Sequence, residues 1–210
     1  MYVLHGPRPI NYISKSLDSY YYEWDHPITV LAEPGTFRFR GKCEIRLNPV
    51  RLGTVFNWLQ AINMPHNCEW LGVFEDDIIW IKGSGPEVRK ILHNCCSDIG
   101  IVSPYCCVLN APERRGWQMS KIKKSTSFYG ACALFLRKQL VAVIRENIPE
   151  FLSFTIRNEK HIDLDTAIGS FALKYGFKIL THNPSLIIHM GEISTNGKIS
   201  DKPSRMAKLW

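Results

Sequence analysis

The chain has 210 residues, 45% of them hydrophobic, and a formal net charge of +7. That length suits one domain with one sizeable core, and the six Trp, eight Tyr and ten Phe exclude a disordered chain. No stretch approaches the roughly 18 apolar residues of a membrane span, and the opening MYVLHGPRPI lacks the basic and apolar regions of a signal peptide.

The basic surplus suggests an anionic partner: nucleotide phosphates, nucleic acid or an anionic glycan. Cys43, Cys68, Cys95, Cys96, Cys106, Cys107 and Cys132 are odd in number and form no CxxC. Several lie in apolar runs, so they read as reduced core thiols of a cytoplasmic protein, not as disulfides or a zinc site.

Residues 1–4 form a short buried strand, followed by a turn at His5-Gly6-Pro7. Ile10, Ile13, Leu17 and Tyr20 then recur at helical spacing. Residues 28–33 make a second apolar strand ended by Pro34-Gly35, and residues 43–47 a short third. Asn48-Pro49 has the character of an N-cap and first helical position. The helix it opens carries Leu52, Val55, Phe56, Leu59 and Ile62 on one face.

Residues 69–74 form a strand with Glu75-Asp76-Asp77 at its C-terminal end. Pro86 opens a helix bearing Val88, Ile91, Leu92 and Cys95, and residues 99–102 form the next strand. Residues 109–125 are polar, basic and loop-like; residues 128–136 are strand-like, and a helix follows over 138–147. Asp165 caps a helix through Tyr175 that stops at Gly176, and strands at 177–181 and 185–189 lead to a polar tail. The expected organisation is one domain over residues 1–190 and a tail over 191–210.

Alternating strands and helices predict an α/β fold, a mostly parallel sheet with helices on both faces. In such sheets ligands bind beyond the carboxyl ends of the strands, and the unusual polar residues of this chain fall at such ends. Three adjacent carboxylates, Glu75, Asp76 and Asp77, sit between an apolar strand and Ile78-Ile79. Buried, they repel one another, and a hard divalent cation, Mg²⁺ or Mn²⁺, relieves that repulsion and can bridge to a diphosphate.

His189 ends a second apolar strand, where an imidazole can ligate a Mn²⁺-like metal or serve as a hydrogen-bonded strand end. Asp165 is a helix cap or a carboxylate able to take a proton from an acceptor hydroxyl. The small residues Gly130 and Ala131, within Phe128 to Ala133, let a ligand approach the backbone or pack a strand tightly. Neither GxGxxG nor GxxxxGK[ST] occurs, which sets aside dinucleotide-binding and P-loop enzymes.

In this order the four elements resemble the GT-A glycosyltransferases, especially their fringe-like inverting branch. Glu75-Asp76-Asp77 resembles the family's Asp-x-Asp metal motif, with Glu in place of the first Asp. Tyr129-Gly130-Ala131-Cys132 resembles its donor segment, Leu164-Asp165-Thr166-Ala167-Ile168-Gly169 its Glu-Asp-Val-x-x-Gly motif with Leu for Glu, and His189 its late metal-binding His.

The resemblance implies a single-domain GT-A enzyme that moves a sugar from a nucleotide-sugar, by family default a UDP-sugar, to a hydroxyl. Asp77 and His189 would hold the metal and Asp165 would be the base. His5, Arg8, Glu33, Glu75, Asp76, Gly130 and Ala131 would surround the nucleotide-sugar. The basic stretch Arg114, Arg115, Trp117, Lys121, Lys123 and Lys124 would meet the acceptor or form a lid or solvated loop. The chain also resembles viral-type enzymes that glycosylate hydroxymethylated pyrimidines, which makes DNA one expected partner and a host cytoplasm one expected location. A lipopolysaccharide, cell-wall or protein acceptor, and an inactive binding module of the same fold, are the alternatives.

Overall fold

Strand residues of this chain alternate between two apolar cores. The computed structural model describes residues 1–36, 38–39, 41–107, 114–120, 128, 130–157, 161–162 and 164–191. Its first half runs β1 (Tyr2–His5), α1 (Ile13–Glu23), β2 (Thr29–Ala32), β3 (Glu44–Leu47), α2 (Gly53–Asn63), β4 (Trp70–Glu75), β5 (Ile78–Trp80), α3 (Ser84–Asn94) and β6 (Ile99–Ser103). The second half runs β7 (Gly116–Met119), β8 (Ala133–Arg137), α4 (Lys138–Glu146), α5 (Ile148–Thr155), β9 (Ile156–Arg157), β10 (His161–Ile162), α6 (Leu164–Lys174), β11 (Lys178–Asn183) and β12 (Ile187–His189).

Eight strands form one sheet in the order β3-β2-β1-β4-β8-β6-β11-β7. The first four run parallel, as do β6 and β11, while β8 and β7 run against their neighbours. The mixed α/β, mostly parallel fold expected from the sequence is present. Tyr2, Leu4, Leu71, Val73, Leu134 and Leu136 pack on the face covered by α2, α4, α5 and α6. Val3, Phe74, Ala133 and Phe135 turn to the other face, toward Ile13, Leu17, Tyr20 and Trp24 of the α1 region. This is the period of two that a pleated strand imposes, with both faces buried as parallel strands require.

Several sequence expectations are corrected. The first helix begins at Ile13, leaving Ile10 outside it and 40% exposed. Asn48-Pro49 does not start α2: Asn48 is buried and donates its side-chain amide to Asn57 Oδ1 at 3.1 Å. The helix starts five residues later, at Gly53, where the Glu33 carboxylate accepts the amides of Leu52 and Gly53 at 2.9 and 2.5 Å. A tertiary contact, not a local cap, therefore sets that boundary.

The basic stretch at 109–125 is not all loop, because β7 adds an edge strand within it. Strand β8 starts at Ala133, not at 128, and α5 follows α4 where the sequence suggested no helix. Trp58 of α2 stacks on Phe151 of α5 with ring centroids 5.3 Å apart, and this burial secures α5. All seven cysteines are free, but only Cys106, Cys107 and Cys132 are buried; Cys68 and Cys96 are exposed. No described helix is long and apolar enough to cross a membrane.

Candidate metal and nucleotide-sugar site

The chain reverses its winding between β1 and β4: from β1 it builds outward to β3, then crosses back to place β4 on β1's other side. Ligand crevices form at such switch points. Here His5 ends β1, Glu75 ends β4, and the tight turn Asp76-Asp77 leads at once into β5. Strand β12 pairs antiparallel with β5, His189 opposite Ile78, and Met190 N–H donates to the Asp77 carbonyl at 2.7 Å. A strand more than a hundred positions later is thereby pinned beside the acidic turn.

His5, Asp76 and Asp77 are each only 1% exposed. His5 Nδ1 contacts Asp76 Oδ2, bridging the switch point. Arg8 lies in the loop after β1, with Nη2 2.8 Å from Asp76 Oδ1 and Nη1 on Asp77 Oδ2. His189 Nε2 stands 3.2 Å from the same Asp77 Oδ2 and 3.4 Å from Glu75 Oε2. The Tyr105 ring meets the His189 ring edge to face at 6.3 Å.

Burial dominates the electrostatics, and the partners decide which way each group moves. Burial pushes the Asp76 carboxyl up, against the opposing pull of His5 and Arg8. For Asp77 burial acts the same way, but His189 and Arg8 prevail and hold it below the usual carboxylate value. Burial disfavours charge on His189, yet the Asp77 and Glu75 carboxylates outweigh it and lift its pKa to about 10. Burial opposes charge on Arg8 too, and Asp76, Asp77 and Glu75 together overcome it. The buried Cys132 thiol is pushed well above its ordinary value, so it offers no thiolate here.

One atom from each of Glu75, Asp77 and His189 lies within 4.8 Å of the other two. Ligands about 2.1 Å from one octahedral ion stand roughly 3–4 Å apart, so modest closure suffices. Among the described residues, Asp77 Oδ1 is buried without a hydrogen-bond partner. Two carboxylates and an imidazole, with an orphaned buried oxygen, fit a hard divalent cation such as Mn²⁺ or Mg²⁺. A Cβ on Gly191 would strike Asp77 Oδ2 and lie 3.2 Å from His189 Nε2, so only glycine leaves room there. The sequence reading missed Gly191; its signal was the glycine two positions after the histidine.

Asp165 is brought to the same end of the sheet, but not as the cap expected for it. Helix α6 begins at Leu164, so Asp165 lies in its first turn, half-buried, and its Oδ1 accepts the Ala131 amide at 3.2 Å. That bond ties α6 to the Gly130-Ala131 segment, which leads into β8 beside Glu75: the Glu75 amide donates to the Cys132 carbonyl at 2.8 Å. The small residues serve packing around Phe128. A Cβ on Gly130 would lie 2.7 Å from the Phe128 ring, and one on Gly169 would lie 2.6 Å from Phe128 Cβ. Tyr129 lies outside the described residues.

Glu33 is spent on the start of α2, as described above, although it follows β2 directly beside His5. Arg114 and Arg115 precede β7 at the site end of the sheet, where Gly116 pairs with Asn183 at the end of β11. Four strand spacings separate β7 from β4, roughly 19 Å at about 4.8 Å each. Trp117 is half-buried: its Nε1 donates to Glu87 of α3 at 3.0 Å, and its ring meets the His182 ring edge to face with centroids 5.0 Å apart. Lys121, Lys123 and Lys124 lie outside the described residues.

The architecture is a Rossmann-like α/β fold with an acidic, histidine-containing cluster at its switch point. No protein-family model matches the sequence, nor does any curated protein. Among solved structures, the chain is similar to a nucleoside-diphosphate-sugar pyrophosphorylase from Vibrio cholerae RC9, with a TM-score of 0.52 and 13% identity over 91% of this chain and 96% of that one. It is also similar to a protein from Bacillus anthracis described as a glucose-1-phosphate thymidylyltransferase, with a TM-score of 0.53 and 12% identity over 90% and 88% of the two chains. At such identities these likenesses establish the fold alone. They bear out the α/β architecture expected from the sequence, and neither of the two is a glycosyltransferase by name.

Proposed function

We propose that this chain is a divalent-metal-dependent transferase of nucleotide-sugars, and that it moves the sugar to an acceptor hydroxyl. The observation carrying the proposal is the Glu75, Asp77 and His189 set at the switch point, with its orphaned buried Asp77 oxygen. The nucleoside-diphosphate-sugar named for one structural neighbour and the glucose 1-phosphate named for the other agree with a metal site at the strand ends. Bound there, Mn²⁺ or Mg²⁺ would supply Lewis-acid neutralisation of a departing nucleoside diphosphate.

The chain's own residues do the rest. His5 and Arg8 fix Asp76 and keep the carboxylate cluster from repelling itself apart. Arg8 lies where its guanidinium can turn from carboxylate to phosphate oxygens. Asp165, oriented by the Ala131 amide on one oxygen, takes the proton of the acceptor hydroxyl as that oxygen attacks the anomeric carbon. Attack from the face opposite the leaving diphosphate inverts that carbon.

Nucleotidyl transfer is the second reading, favoured by the neighbours' own activities. A triphosphate bound beyond β1 would gain from backbone amides of the loop that follows that strand. Here that loop reads His5-Gly6-Pro7-Arg8-Pro9, and neither proline carries an N–H. Among the described residues nothing selects DNA as acceptor.

One assay separates the readings. The protein is given a panel of UDP- and other nucleotide-sugars with Mn²⁺ and release of nucleoside diphosphate is followed; in parallel it is given nucleoside triphosphates with sugar 1-phosphates and pyrophosphate is followed. The expected result is metal-dependent diphosphate release that falls by orders of magnitude in Asp77→Asn. Full activity in excess chelator would overturn the metal role, and pyrophosphate release alone would establish nucleotidyl transfer.

A further inference from the structure

Arg8 occupies Asp77, one of the carboxylates a divalent cation needs, and its neighbour Asp76. Its Nη1 sits on Asp77 Oδ2, the oxygen that His189 Nε2 also faces, and its Nη2 lies 2.8 Å from Asp76 Oδ1. The Arg8 side chain is 8% exposed and the two Asp side chains are 1% and 2% exposed, so water screens these pairs little. The pairing is nevertheless incomplete. Arg8 Nε is buried with no hydrogen-bond partner among the described residues, and Asp77 Oδ1 is equally orphaned. Arg8 also stands in a loop between β1 and α1, not on a rigid element, so its side chain can be re-aimed without unfolding a strand or helix.

From this geometry we infer that Arg8 is a built-in counter-cation, closing the carboxylate site to free divalent metal until a nucleoside diphosphate draws the guanidinium onto its phosphates. The inference rests on the metal-dependent reading above. Free metal must displace a buried guanidinium that then has no anion to meet. Metal arriving with a diphosphate leaves Arg8 a new bidentate partner, so the departing charge pair is replaced and not lost. Metal and nucleotide then bind as a coupled pair, and the coupling is reciprocal.

The test measures Mn²⁺ binding by the EPR signal of free Mn²⁺, with and without UDP, in wild type, Arg8→Met and Asp77→Asn. Melting of the same proteins is followed in chelator and in Mn²⁺. Arg8→Met is expected to bind Mn²⁺ without UDP at least roughly tenfold more tightly than wild type, and to gain less from added UDP. In chelator its Tm should fall below that of wild type, because two buried carboxylates lose their counter-ion, and Mn²⁺ should restore it. Equal Mn²⁺ affinity of Arg8→Met and wild type without UDP, or an unchanged Tm in chelator, overturns the counter-cation role.

If Arg8→Met does not fold, Arg8→Lys, which keeps the charge but not the two-pronged contact, should bind Mn²⁺ severalfold more tightly than wild type. An unchanged affinity there overturns the role equally. Binding that Asp77→Asn abolishes but Arg8 variants leave unaltered sinks the Arg8 role while sparing the metal site. Absence of Mn²⁺ binding from every protein, with or without UDP, sinks both.

Discussion

Replacing Asp165 by Asn separates its structural duty from its chemical one. Asn keeps an oxygen that can accept the Ala131 amide, now 3.2 Å from Asp165 Oδ1, so the tie between α6 and the Gly130-Ala131 segment survives. What is lost is charge. A carboxylate in the first turn of a helix is worth about 0.3–1 kcal/mol through the helix dipole, and the charged form of one hydrogen bond is worth about 1 kcal/mol over the neutral one. Asp165 is half-exposed, so solvent screens part of both, leaving about 1 kcal/mol in all.

For a chain of this size that is a fall in Tm of about 2–4 °C. A positioned general base, by contrast, contributes about 10²–10⁴-fold in rate. Scanning calorimetry on Asp165→Asn should therefore show a small shift, while single-turnover glycosyl transfer falls by at least about a hundredfold and nucleotide affinity holds. A variant with near wild-type turnover refutes the base role. A Tm drop of more than about 8 °C with lost nucleotide binding shows instead that the residue is structural. Retention of the donor's anomeric configuration in the product refutes inversion even if Asp165 proves essential.

His189 makes a pH-dependent prediction. Its pKa of about 10 lies above the ordinary imidazole value of 6.5, so its charged form contributes stability that is fully present below pH 6.5 and lost as pH rises through about 10. The Tm of the metal-free protein should therefore fall across that window, and Mn²⁺ binding at pH 8 should release about one proton; calorimetry in buffers of different ionisation enthalpy measures it, and zero release refutes the ligand assignment. In Gly191→Ala the added Cβ enters the space of Asp77 Oδ2, so Mn²⁺ affinity should fall about tenfold or more while overpacking costs about 1–3 kcal/mol; unaltered affinity by EPR places the ion elsewhere. Glu33→Ala strips the Leu52 and Gly53 amides of their acceptor and should cost about 2 kcal/mol or more without altering nucleotide Kd. Loss of nucleotide binding in a stable Glu33→Ala protein would restore the ligand role expected from sequence.

The sequence by itself determined the elements whose cause is local. Val3, Phe74 and Phe135 belong to strands because they sit in short, continuous apolar runs buried on both faces, and α6 stops at Lys174 because Gly176 just beyond it takes a φ of 79° that the helix cannot continue through. It also marked Glu75-Asp76-Asp77 and His189 as strand-end residues, since an acidic run between apolar segments is costly unless something neutralises it. The tertiary structure alone decided what answers that charge. Arg8 and His5 reach Asp76 across some seventy residues, and His189 reaches Asp77 because β12 pairs with β5; no spacing in the chain encodes either contact.

The start of α2 was illegible for the same reason. Asn48-Pro49 carries a good local signal, but the Glu33 carboxylate, delivered by β2, satisfies the helix amides further on and wins. The partners of Trp117 were equally illegible: pairing of β7 with β11 sets its ring against His182 and its Nε1 on Glu87. Local propensity fixes which residues can be strand, helix or turn. Which carboxylates share a cation, and which are consumed as caps, depends on desolvation and partner geometry that exist only once the sheet has assembled.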